Sequence, residues 1–122
     1  MPTILVVDDE HIIAAMLQEL FEEAGHQVVT ARSGREGLQR LAEVRPELVL
    51  SDVMMPDLDG LALCRAIRAE ASYRSIPIVL MTAVPAQLST ADCDYTALVS
   101  KPFDQELLLT TIAWALNERA DD

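Results

Sequence analysis

Short apolar runs alternate along this chain with longer stretches in which apolar residues recur every three or four positions. Residues 3–7 (Thr3-Ile4-Leu5-Val6-Val7) form a continuous, β-branched-rich run, which predicts a buried strand. Helical periodicity follows over 10–24, with Gly25 as its C-terminal stop. Val28 and Val29 centre a second strand over 26–31. Ser33 is placed to cap a helix running to Val44, in which Leu38, Leu41 and Ala42 share a face. Pro46 separates that helix from a third strand over 48–51, and residues 53–60 (Val-Met-Met-Pro-Asp-Leu-Asp-Gly) are turn chemistry before a helix over 61–69. Pro77 opens a fourth strand, residues 97–100 form a fifth, and Asp104 caps a last helix over 105–117. In that helix Leu109, Ile112 and Leu116 are expected in the core, with Trp114 off their face.

Strands alternating with helices imply a doubly wound α/β domain, a parallel sheet with right-handed crossovers and helices on both faces. The 122 residues suit one domain, and no repeat or linker divides them. The segment 83–96 is the exception to the pattern. Pro85 and the stretch Leu88-Ser89-Thr90-Ala91-Asp92 give little helical periodicity, so a short or frayed helix is expected there.

Composition narrows the function. With 51% apolar residues the chain can bury one core, yet no run approaches a membrane span, and Met1-Pro2-Thr3 lacks the features of a signal peptide. A cytoplasmic location is expected, and with it two unpaired thiols at Cys64 and Cys93, which fit no metal-ligand spacing. A formal charge of −11 argues against a direct grip on nucleic acid. His11 and His26 are expected to face solvent.

The chemistry gathers at the strand ends. Strand one runs into Asp8-Asp9-Glu10, strand three into Asp52, strand four into Thr82, and strand five into Lys101-Pro102. Lys101 is the sole lysine of the chain. Parallel strands bring these ends to one edge, where open α/β sheets place ligands. Adjacent acids there also serve as the cap and first turn of the next helix, and an Asp before a Pro/Gly loop also serves as a turn former. Their concurrence at equivalent strand ends argues for a reaction site. Crowded carboxylates need compensating charge; a hard cation such as Mg²⁺ and the Lys101 ammonium balance Asp8, Asp9 and Asp52. A phosphoryl group could then be held by metal, ammonium and the Thr82 hydroxyl, with one carboxylate as nucleophile. A nucleotide site would need a glycine-rich first turn, and a strand-one aspartate phosphatase an Asp-x-Asp. Neither is present.

Asp8-Asp9, the run from Asp52 to Gly60, Pro77-Ile78-Val79-Leu80-Met81-Thr82-Ala83 and Lys101-Pro102-Phe103 together resemble the receiver domain of response regulators in two-component signalling. The resemblance covers essentially the whole chain. It implies a flavodoxin-like five-stranded sheet in the order 2-1-3-4-5. It also implies that Asp52 accepts a phosphoryl group from a phosphohistidine on a sensor histidine kinase or phosphotransfer protein. Mg²⁺ would be bound by Asp9, Asp52 and the backbone carbonyl of Met54, with Asp8 acting through a water. Lys101 would hold a phosphoryl oxygen, its bond to Pro102 is cis in relatives, and Thr82 would turn toward the phosphoryl group. The alternative is a receiver-like interaction module that no longer takes phosphate.

Departures from the family carry further expectations. Leu98 stands where many receivers have the aromatic ring of the output switch, and the stretch from Thr82 to Lys101 is about a turn shorter than usual. Tyr95 is read as a loop residue. Output is expected instead through Thr82 drawing Ala83 and Val84 inward and changing the order of residues 84–96. Met54 and Val84, both apolar, flank the expected path of attacking water. Ile12 and Met16, on the edge of a wide apolar stripe, are candidate partner contacts with Pro102 and Phe103. A stand-alone regulator or relay shuttle, monomeric or weakly dimeric, is the simplest expectation.

Overall fold

The apolar runs form five parallel strands: β1 (Thr3–Val7), β2 (Gln27–Ala31), β3 (Leu48–Asp52), β4 (Ile78–Thr82) and β5 (Ala97–Ser100). In this computed structural model, which describes residues 1–89 and 91–120, they pair in the order β2-β1-β3-β4-β5. The helices are α1 (His11–Glu23), α2 (Gly34–Val44), α3 (Gly60–Ala69) and α4 (Gln105–Ala120).

Alternation along each strand divides the core in two. Leu5, Val7, Val49, Ile78 and Leu80 pack with Leu41 of α2 and Leu63, Cys64 and Ile67 of α3. Their neighbours Ile4, Val6, Leu50, Val79 and Met81 pack with Leu17 and Phe21 of α1 and Leu108, Ile112 and Ala115 of α4. Both faces are covered, which is why β1, β3 and β4 read as continuous apolar runs rather than alternating ones. The α4 seam differs from the expected one. Leu108, Ile112 and Ala115 are its buried residues, while Leu109 and Leu116 flank it half-buried, because the spacing of apolar residues fits either register and packing on the sheet decides. Trp114 lies off the seam, as expected, and is exposed.

Local signals account for the element ends. Ser33 Oγ accepts from the Glu36 amide, Asp59 Oδ1 from Ala62, and Asp104 Oδ1 from Glu106 and Leu107, each satisfying first-turn donors. Gly60 is required by close approach: a Cβ there would meet the Asp52 carbonyl oxygen at 2.3 Å and Val53 Cα at 2.8 Å. The loop after β3 therefore returns tightly against the strand end, with Asp57 at φ 68 turning the chain.

Among the described residues between β4 and β5 there is no α-helix, where a short or frayed one was expected. Only a single 3₁₀ turn, Pro85–Gln87, forms there, followed by loop; Thr90 lies outside the described residues. Two expectations are corrected. Cys64 of α3 and Cys93 in that loop are joined in a disulfide, with Cα atoms 6.3 Å apart, rather than left as free thiols. The loop crosses the sheet face that α3 covers on its way into β5, so residues 29 apart in sequence meet in the core; spacing alone carries no sign of this. His26 is half-buried and stacks edge-on to Phe21 at 6.4 Å between ring centres, whereas His11 is exposed.

Candidate functional site

The C-terminal ends of β1, β3, β4 and β5 bring Asp8, Asp52, Thr82 and Lys101 together. Asp8, Asp52 and Thr82 are buried. Lys101 Nζ donates to Asp52 Oδ2 at 2.9 Å, and the Met54 amide donates to Asp52 Oδ1 at 3.3 Å. The Lys101 amide donates to the Thr82 carbonyl at 2.8 Å, which fixes the start of the Lys101 side chain, and the Lys101–Pro102 peptide is cis. The Thr82 hydroxyl oxygen accepts from the Val84 amide at 3.1 Å.

Burial and like charge govern the acids. Asp8 Oδ1 accepts from the Glu10 amide at 2.9 Å, while Oδ2 is buried without a partner among the described residues. Burial, opposed by that hydrogen bond and assisted by the charge of Asp52, pushes the Asp8 carboxyl up to about 6. For Lys101, burial pulls downward, but the hydrogen bond and charge of Asp52, with Asp8 and Glu10 beyond, outweigh it and raise the ammonium above its ordinary range.

Carboxylate oxygens of Asp8, Glu10 and Asp52 lie within 4.8 Å of one another, a grouping suited to a hard divalent cation. Sequence reasoning read Glu10 only as a capping or first-turn acid. It does occupy the N-cap of α1, but its side chain makes no capping bond and faces the other two acids. The third acid of the run Asp8-Asp9-Glu10 was the only signal for it. Asp9 is exposed, outside this grouping, and its carboxylate makes no hydrogen bond or ion pair among the described residues. Met54 and Val84 are 71% and 43% exposed at the mouth of the site, and Ala83 is exposed beside them. Leu98 is half-buried against the core, and Tyr95 is a half-buried loop residue.

Next to Lys101 opens a groove of about 470 Å³ lined by Glu10, Ile13, Met16, Ala83, Pro102 and Phe103. It gathers three of the four expected contact residues. Ile12 lies outside it, 81% exposed on α1.

Residues 4–113 match the family model of the response regulator receiver domain. This chain belongs to that family. The transcriptional regulatory protein YkoG of Bacillus subtilis (strain 168) is 40% identical over 118 residues, 94% of this chain and 51% of that protein. Among solved structures, the chemotaxis protein CheY4 of Vibrio cholerae is 33% identical with a TM-score of 0.86, covering 94% of this chain and 98% of that one. The signal receiver domain of an HD domain-containing protein from Pseudomonas fluorescens Pf-5 reaches a TM-score of 0.91 at 29% identity, covering 99% and 98%. The chain spans about half or less of the length of the curated relatives it matches. Its place is in phosphorelay signalling, in which receiver domains interact with histidine kinases. Among the described residues no helix is long and apolar enough to cross a membrane.

Proposed function

We propose that Asp52 is the phosphoacceptor of this receiver and that its reaction depends on Mg²⁺. The supporting observation is the part-buried ion pair at 2.9 Å between Asp52 Oδ2 and Lys101, the chain's only lysine, beside an Asp8 oxygen that lacks a partner among the described residues. An Asp52 carboxylate oxygen attacks the phosphorus of a phosphohistidine, the P–N bond breaks, and the imidazole leaves with a proton. Lys101 then moves its hydrogen bonds to a phosphoryl oxygen, so the charge that orients the nucleophile also holds the product. The Thr82 hydroxyl, buried one strand away, takes another oxygen.

The residues fit the metal. Asp52, the Met54 carbonyl and the acids at 8–10 are all oxygen donors, and Asp8 carries the unsatisfied buried oxygen that such an ion relieves. Bound there, Mg²⁺ supplies positive charge against the carboxylates and the incoming phosphoryl oxygens. Asp9 would supply the direct ligand that the resemblance implies, its exposed side chain making no competing hydrogen bond or ion pair among the described residues, and Glu10 would add charge at the rim. The groove along Met16, Pro102 and Phe103, with Ile12 at its margin, receives the phosphodonor protein, an apolar surface beside the reacting carboxylate.

Titration with beryllofluoride and Mg²⁺, followed by amide chemical shifts, tests the phosphate-taking role. Saturable shifts at Asp52, Thr82 and Lys101 are expected, and they should vanish with chelator. No response would leave the phosphate-independent interaction module as the reading.

A further inference from the structure

Three consecutive residues on the approach to β5 are each tied to α3 by a different bond. Arg65 Nε donates to the Asp92 carbonyl at 3.0 Å, Cys64 is disulfide-bonded to Cys93, and Arg68 Nε donates to the Asp94 carbonyl at 2.8 Å. Arg68 is itself fixed, because its Nη1 donates to the carbonyls of Tyr73, Arg74 and Ile76. Beyond the clamp, Thr96 exchanges hydrogen bonds with Ile78, its amide at 2.7 Å and its hydroxyl at 3.0 Å. Before the clamp the picture changes. Among the described residues, the hydrogen bonds made by 83–91 reach no further than Thr82 on one side and Asp92 on the other. The disulfide sits where a stretch without distant hydrogen bonds becomes one held by α3 and β4.

We propose that Cys64–Cys93 is a reversible thiol–disulfide modification site, exchanged by dithiols, whose state sets how firmly residues 92–94 are held to α3. A second part rests on the phosphoacceptor reading: the same bond limits how far the segment after Thr82 can rearrange, and so tunes the response at Asp52. The exchange balances. A dithiol thiolate attacks Cys93 Sγ, the less deeply buried of the two sulfurs, reached by local opening of the loop at exposed Asp92 and Asp94. The S–S bond breaks, and Cys64 Sγ leaves and takes a proton. The second thiol of the reagent attacks the mixed disulfide, frees Cys93 as a thiol and closes the reagent's own disulfide. Two electrons pass to the protein, and a disulfide oxidant reverses the step. Once reduced, Cys64 remains a small apolar residue among Leu63, Ile67 and Leu80, so the core gains no buried charge. The two arginine–carbonyl bonds persist, leaving the segment loosened rather than detached.

The test equilibrates the full chain in dithiothreitol of graded redox ratio. Three readouts follow: alkylated cysteines by mass, amide exchange by segment, and beryllofluoride affinity with Mg²⁺. Two alkylated cysteines are expected at the reducing end and none at the oxidising end. Exchange over 92–96 should accelerate at least about tenfold on reduction while β1 and β3 stay unchanged. Affinity should differ by about threefold or more between the two states. Cys93→Ser should exchange like the reduced chain under both conditions. Thiols that stay free in oxidised dithiothreitol, or identical exchange in the two states, would overturn the site. Equal affinities would overturn its coupling to Asp52. A beryllofluoride response absent in both states would instead overturn the phosphoacceptor reading and leave the thiol result standing.

Discussion

Asp52 and Asp8 are buried carboxylates a few ångströms apart, and only one of them has a cation. Lys101 satisfies Asp52; Asp8 keeps an unpartnered oxygen and a raised pKa. Asp9→Asn should weaken Mg²⁺ binding by at least about tenfold, because it removes a ligand charge from an all-oxygen site, and fluorescence or calorimetric titration reads this directly. Unchanged affinity in Asp9→Asn with a large loss in Glu10→Gln would transfer the ligand role to Glu10, the acid already grouped with Asp8 and Asp52. At the mouth of the site, Met54 and Val84 offer no side-chain hydrogen bond to a water. Aspartyl-phosphate hydrolysis depends on such positioning, so Met54→Asn with Val84→Glu should shorten the phosphorylated lifetime by about tenfold or more. A lifetime unmoved by both would refute the mechanism. His26 gives a pH prediction remote from the site. Burial first, and then the N-terminal ammonium, hold its pKa below the ordinary 6.5, and its Nδ1 lacks a partner among the described residues. The unfolded chain therefore binds the proton more readily. The stability contribution is complete above the unfolded value and is lost as pH falls toward the folded one. Asp8, with its raised pKa, acts in the opposite sense over the same window, so the difference between chains is what reports on His26: on acidification below about pH 6.5, the urea midpoint of His26→Gln should fall less, or rise more, than that of the parent chain.

The segment between β4 and β5 is the element expected to carry the output of this receiver. Thr82 Oγ1 accepts from the Val84 amide, so moving the hydroxyl to a phosphoryl oxygen removes the first hydrogen bond of the segment. Amide exchange at 84–89 should change on adding beryllofluoride with Mg²⁺, and Thr82→Ala should abolish that change while Asp52 is still phosphorylated. If these amides are as protected as β4, or insensitive to activation, the order-change account is wrong. With 92–94 tied to α3, the change is expected in the first half of the 84–96 stretch. The elements were legible because each carried a local cause: continuous apolar runs for strands covered on both faces, and Ser33 and Asp104 for helix starts. The weakness of the fourth crossover was legible for the same reason, from Pro85 and a stretch without periodicity, although a short helix was expected where a single 3₁₀ turn forms. What the sequence hid was set by tertiary contact. The α4 seam on Leu108 and Ala115 follows from how the helix rolls onto the sheet, and the meeting of Cys64 with Cys93 from the path of the loop. His26 is half-buried because Phe21, five residues earlier, turns back onto it. Glu10 was overlooked because a first-turn acid already has a sufficient local explanation.

At the scale of the molecule, topology does what no single residue does. The order β2-β1-β3-β4-β5 puts β3 at the centre, so Asp52 stands between the acids ending β1 and the threonine ending β4, with Lys101 arriving from β5. Gly60 lets α3 begin directly against the Asp52 carbonyl, and both faces of the sheet are packed, so the strand ends are held by the whole core. On the proposed reading, such a frame sets Asp52 as nucleophile and Lys101 as cation before the phosphodonor arrives, the preorganisation on which phosphoryl transfer depends. On this reading the frame serves one carboxylate, Asp52. Intact-mass measurement of the chain after incubation with acetyl phosphate and Mg²⁺ decides the point. One phosphoryl group per chain is expected, lost with chelator and lost in Asp52→Asn; undiminished incorporation in Asp52→Asn would place the phosphoryl group elsewhere.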